Sequence, residues 1–259
     1  MQSQSEVKDS FKLLILASAV TLVLWLIPFA EVITYPLRIF VTLVHESGHA
    51  LAALGTLGRV NRVALDWSGS GVTETVGGAG LLISSAGYLS TTLYGAGLLL
   101  LLRRLRYLRA VTIGTGVVLI LMTVFFGGNL LAWLAGLVFG IGCIVMALKV
   151  RVRVVHFLMS FLAVQCLLNA FYDLRTLVYL SAYDSSRPTD AQNMASATGG
   201  VIPAMVWAVL WSLISLAVLA VTMALYYKSL RRRAAIAEDI SLPPMLLDTK
   251  SRSAADRIL

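Results

Sequence analysis

Charged side chains make up only 13% of the 259 residues, against 58% hydrophobic ones. No soluble domain of this length needs so much apolar surface, and no stretch between the apolar runs is polar and long enough to form a soluble module. Cysteine is equally scarce. Cys143 and Cys166 both fall inside apolar runs, which points away from a disulfide framework or a thiolate metal site and leaves them as small packing residues. Histidine occurs only at His45, His49 and His156, and no internal repeat is visible.

What is present is a series of about seven apolar runs, each near the ~20 residues that cross a hydrocarbon core. They cover 12–30, 36–57, 78–102, 109–127, 129–148, 154–180 and 201–227. The first is too long for a signal peptide, and no small-residue cleavage site separates it from the second. The expected fold is therefore an all-α polytopic membrane protein with about seven transmembrane helices. It forms one domain over residues 1–233, with a tail of mixed composition at 234–259.

The net charge of +8 does not imply a nucleic-acid partner, because the basic residues sit between spans. Arg103, Arg104, Arg106 and Arg109 follow the third span, Lys149, Arg151 and Arg153 the fifth, and Lys228 with Arg231, Arg232 and Arg233 the seventh. Alternate crossings put all three clusters on one side, where they set topology and meet anionic lipid. The bilayer is thus the first partner that the sequence implies.

Residues 59–76, "RVNRVALDWSGSGVTETV", alternate apolar and polar residues on either side of "SGSG". That is the pattern of a β-hairpin, with Val63, Leu65 and Trp67 on one face of its first arm and Thr73 and Thr75 sharing a face of its second. Residues 181–200 read as a turn-rich loop in which "TDAQNMA" opens a short helix capped by Thr189 or Asp190.

One stretch conflicts with the apolar setting. "VHESGHALAAL" (44–54) puts His45, Glu46 and His49 inside the second span, where a charge costs roughly 2.5–3.5 kcal/mol. Histidines four apart lie one turn above each other on a helix, so both can ligate one zinc ion while the adjacent glutamate acts as a base toward water. A catalytic zinc site takes three protein ligands. Gln165, Asn169 and Asp173 form a polar stripe on the sixth span, and Asp173, a carboxylate in need of a cation, is the candidate third ligand. Asp184 and Asp190 in the following loop are the alternatives. At about 1.5 Å per residue, His49 lies ~20 Å along its span and Asp173 ~30 Å along its own, both toward the hairpin side. His156, beside Arg153 at a basic helix start, reads as a membrane-interface residue. Gly48, Gly77, Gly78 and Gly87 read as glycines for close helix packing.

At these residues the chain resembles the site-2 proteases, and more closely their compact bacterial protease-like relatives. His45, Glu46 and His49 match the family's H-E-x-x-H helix, the hairpin at 59–76 lies where the family places one, and "AGYLSTTLYG" (86–95) resembles its G-x-x-x-small segment at Gly87 and Thr91. "NAFYDL" takes the place of the aspartate motif. The resemblance implies an intramembrane zinc metalloprotease that cuts membrane-spanning protein substrates. His45, His49 and Asp173 would hold the zinc, Glu46 would be the base and Asn169 an oxyanion donor. The N-P-x-P and L-D-G signatures are missing, Asp173 being followed by Leu174, and no PDZ-like insertion is present. The other readings of the same polar residues are a proton or metal-ion transporter and a noncatalytic relative that binds membrane helices.

The positive-inside rule places the basic loops in the cytoplasm and the hairpin outside, whereas the resemblance implies a site reached from the cytosol. In a variant lacking Cys143 and Cys166, a cysteine at Ser70 is expected to react with an impermeant thiol reagent in intact cells, and one at Arg106 only after lysis. The opposite labelling pattern would show that the charge rule fails for this chain.

Overall fold

The computed structural model describes residues 15, 16, 19, 20, 23, 30–183 and 189–241, with side chains described over 34–168 and 189–228 and at 15, 16, 19, 20, 23 and 32. The expected first span, 12–30, lies mostly outside the described residues. Over the described residues the chain is mostly helical: α1 (Ala30–Gly55), α2 (Gly80–Leu102), α3 (Leu105–Phe126), α4 (Leu130–Lys149), α5 (Val152–Tyr183), the short α6 (Asp190–Ala197) and α7 (Ala204–Ser241). Strands β1 (Arg59–Leu65) and β2 (Gly71–Val76) form an antiparallel hairpin between α1 and α2. Helices thus occupy six of the seven expected spans. Four stretches, α2, α3, α4 and Ala204–Lys228 of α7, are long and apolar enough to cross a membrane, while Val152–Leu168 of α5 is apolar but shorter.

Helix α2 is the hub, packed against α1, α5, α6 and α7. It makes close approach possible with small residues on each flank. Toward α1, Gly48 lies so near Ser90 and the Ala86 carbonyl that no Cβ would fit. Toward α5, a Cβ on Gly95 would stand 2.7 Å from the Ala163 carbonyl. Toward α7, the buried Thr92 and Ser215 hydroxyls share a hydrogen bond of 2.8 Å. In lipid, where apolar surface gives no preference for helix over solvent, such close contacts and interhelical hydrogen bonds hold a bundle together. Cys143 and Cys166 are both buried and free, in keeping with packing roles.

Helix α1 ends in a Schellman turn, with Gly58 N–H donating to the Ala53 carbonyl (2.8 Å) and Leu57 in the left-handed region at φ 63°. The chain is thereby turned back along α1 as the hairpin. Val63 and Leu65 are buried as their alternation predicts, but Trp67 is 68% exposed. Its strand stops at Leu65 because Asp66 and Ser70 close the turn, through an Asp66 N–H to Ser70 carbonyl bond of 2.8 Å. Gly77 and Gly78, both at positive φ (73° and 76°), form the turn into α2.

The hairpin is fastened to the bundle along its β1 edge. Gly128 N–H donates to the Val63 carbonyl (2.8 Å), and the Asn129 side chain both donates to the Leu65 carbonyl (2.7 Å) and accepts from its N–H (3.3 Å). The same amide oxygen caps α4 by accepting from Ala132 N–H at 3.0 Å. An isolated hairpin is marginal, so this clasp substitutes for a third strand.

His156, near the start of α5, is 2% exposed and donates from Nε2 to the Leu102 carbonyl (3.1 Å). The last turn of α2 leaves carbonyls without intrahelical partners, and the imidazole satisfies one of them.

Replacing Asn129 with alanine removes one helix cap and two bonds to the hairpin. Asn129→Ala is expected to lower unfolding stability in detergent by about 1–2 kcal/mol and to speed amide exchange at Leu65. Native-like exchange there would show that the clasp is dispensable.

Candidate metal centre

His45 and His49 lie one turn apart on α1, with ring centroids 4.8 Å apart. A side chain from the far end of the described chain closes on both. Asp190 Oδ2 stands 3.0 Å from His45 Nε2 and 3.2 Å from His49 Nε2. One donor atom from each of the three residues lies within 4.8 Å of the other two.

The protonation pattern of this triangle is constrained by its second layer. His49 Nδ1 is 2.6 Å from the Ile83 carbonyl, and since a carbonyl can only accept, Nδ1 carries a hydrogen. In the neutral ring Nε2 then presents a lone pair to a carboxylate oxygen 3.2 Å away. Two acceptors held that close need a cation between them, either a second proton on the ring or a metal ion. The donor set fits zinc: two imidazole nitrogens and a carboxylate oxygen on one side, which is the three-ligand pattern that leaves a coordination position open.

Gly87 on α2 makes room for the two imidazoles. A Cβ there would overlap His45 Nε2 and His49 Nε2. Read from the sequence as a packing glycine, Gly87 in fact borders the site, whereas Gly48 does serve helix packing.

Asp190 is placed by local and tertiary means together. Thr189 caps α6 by accepting from Gln192 N–H (3.2 Å), and Gln192 Oε1 accepts from Thr189 N–H (3.0 Å), a reciprocal capping box. Ala191 and Met194 then bury against Tyr88, Ala208 and Trp211. Tyr88 stacks on Trp211 at 4.8 Å and meets His45 edge-on at 4.9 Å, so one ring braces both the helix that carries the carboxylate and the helix that carries the imidazoles. Burial would raise the pKa of the Asp190 carboxyl, but when both imidazoles are protonated and no metal is bound, their hydrogen bonds outweigh it and hold the group well below the ordinary carboxylate range.

Glu46 is 4% exposed, and its carboxylate lies between the imidazole pair and the hairpin, within electrostatic reach of His45, His49 and Asp190. The Thr73 hydroxyl donates to Glu46 Oε2 at 2.6 Å. The structure thus brings together His45, His49 and Asp190, with Glu46 on the same helix as the imidazoles.

The side chains of Asp173 and Asn169 lie outside the described residues, although α5 runs through both positions. Asp184 lies outside them as well. Asp190 carried two signals in the sequence, its place beside a capping threonine and its candidacy as an alternative ligand. Thr73 carried only its position on one face of the second hairpin arm, and nothing local linked it to Glu46.

No curated protein and no solved structure matches this chain. The model of the Peptidase M50B-like family does match, over residues 14–222, which include the imidazole pair, the hairpin, Gly87 and Asp190. A match over most of its length, spanning every element that builds the centre, makes the chain a member of the Peptidase M50B-like family, a site-2 protease family.

Proposed function

We propose that this protein is an integral-membrane zinc metalloprotease that hydrolyses peptide bonds of membrane-spanning protein substrates. The observation that carries the proposal is the convergence of His45, His49 and Asp190 on one point, with Glu46 buried on the same helix and engaged by the hairpin.

In this reading His45, His49 and Asp190 hold the zinc, and Asp173 is released from that role. When bound, the ion supplies Lewis acidity toward the scissile carbonyl and toward water. Glu46 takes a proton from the attacking water and passes it to the leaving amine, the work of a general base and then a general acid. Thr73 holds one carboxylate oxygen and leaves the other to receive the proton. His49 keeps its Nε2 lone pair toward the ion because Nδ1–H is committed to Ile83. Asn169, on α5, is the candidate oxyanion donor. Glu46 also separates this reading from a purely metal-binding relative, since a residue that does not ligate would otherwise be a buried carboxylate without a use.

Purified native protein is expected to bind close to one zinc per chain, and His45→Ala, His49→Ala and Asp190→Ala each to lose most of it. Asp173→Ala is expected to keep it. Metal analysis in which Asp173→Ala is empty and Asp190→Ala full would return the third position to α5. Gly87→Ala, whose Cβ overlaps both Nε2 atoms, is expected to lose zinc as the ligand variants do.

Glu46→Gln is expected to retain zinc and to lose turnover by roughly 10²–10⁴-fold on single-span membrane proteins. Full activity in that variant would rule out Glu46 as the base that activates water.

A further inference from the structure

We infer that strand β2 is the orienting wall of the general base, with Thr73 and Gly71 as positioning residues that fix the Glu46 carboxylate. The inference rests on the protease reading for its functional meaning and on the geometry of the hairpin for its substance.

A glutamate on a helix has several torsions and swings freely unless something holds its end. Here both oxygens are addressed by one strand. Thr73 Oγ1 lies 2.6 Å from Oε2, a short, charge-assisted distance when the carboxyl is ionised. The backbone carbonyl of Glu46, at 3.1 Å, is the longer alternative for the same hydroxyl. Gly71, two residues earlier and so on the same face of the strand, lies against the other oxygen. A Cβ added there would stand 2.7 Å from Glu46 Oε1 and 2.7 Å from its Cγ. The strand therefore grips Oε2 and leaves space at Oε1, the oxygen that remains to exchange protons.

This wall is itself anchored. Thr73 pairs in register with Val63, and the Val63 carbonyl is the one that accepts from Gly128 N–H at 2.8 Å. A continuous line runs from the α3–α4 connection through Val63 and Thr73 to Glu46. Neither Thr73 nor Gly71 is among the three groups that converge at the metal centre.

The test uses full-length protein in detergent and a single-span membrane protein that the native enzyme cuts. Thr73→Val keeps the branched shape and loses the hydroxyl. It is expected to retain zinc, to hold KM within about twofold and to lower kcat by roughly tenfold to a hundredfold, the range for a lost hydrogen bond to a charged group. Thr73→Ser restores the hydroxyl and is expected to recover most of kcat. Gly71→Ala, which pushes the carboxylate aside, is expected to lower kcat with zinc retained. Native kcat in Thr73→Val, or equal losses in Thr73→Val and Thr73→Ser, would overturn the inference.

A readout independent of turnover separates this failure from failure of the protease reading. The carboxylate stretching band of Glu46, identified as the infrared difference between native protein and Glu46→Gln, is expected to shift in Thr73→Val and to stay in place in Thr73→Ser. An unshifted band in Thr73→Val would sink the positioning role even if the native protein cuts nothing, whereas a shifted band in a protein that cuts nothing would leave the wall standing and remove only the protease.

Discussion

The contact between Asp190 Oδ2 and His49 Nε2 sets the terms for the rest of the structure. With Nδ1–H committed to Ile83, the neutral imidazole faces the carboxylate lone pair to lone pair at 3.2 Å, and a proton or a metal ion between them makes that arrangement favourable. Burying such groups without compensation costs several kcal/mol in an apolar interior. The bundle is accordingly organised to bring three separately encoded groups to one place.

Helix α2 does most of that organising. Its Ile83 carbonyl fixes the tautomer of His49, its bare Gly87 lets both imidazoles lie against the helix, and its Tyr88 ring braces both His45 and the helix that carries Asp190. The same small residues that let α1, α5 and α7 approach closely make these three contacts possible. Packing and chemistry here are two consequences of one composition.

The hairpin belongs to the same design from the opposite side. A two-stranded ribbon has little stability of its own, yet this one is clasped by Gly128 and Asn129 and touches Glu46 through Thr73. The bonds to the α3–α4 connection occupy β1, so among the described residues the strand whose outer edge carries no further strand or bridge is β2, the one beside the base.

Much of this could be read in the sequence because it is short-range. The i, i+4 spacing of His45 and His49 on a helix, the alternation at 59–76 and the start of a short helix at Thr189 or Asp190 each depend on residues within a turn or a rung of one another. The apolar runs foretold six of the described helices for the same reason. What the sequence could not decide was which distant partners meet. It put Asp173 first as the third ligand, with Asp184 and Asp190 as alternatives, and among the described residues the carboxylate beside the imidazoles is Asp190, 141 positions after His49, brought there as Ala191 and Met194 bury against Tyr88 and Trp211. Nothing local named the Leu102 carbonyl as the partner of His156 or set both imidazoles against Gly87. Local pattern determines the elements because neighbouring residues fix backbone geometry. Only tertiary packing decides the site, because the partner of a polar group in lipid is whichever group the close contacts between helices bring within hydrogen-bonding reach.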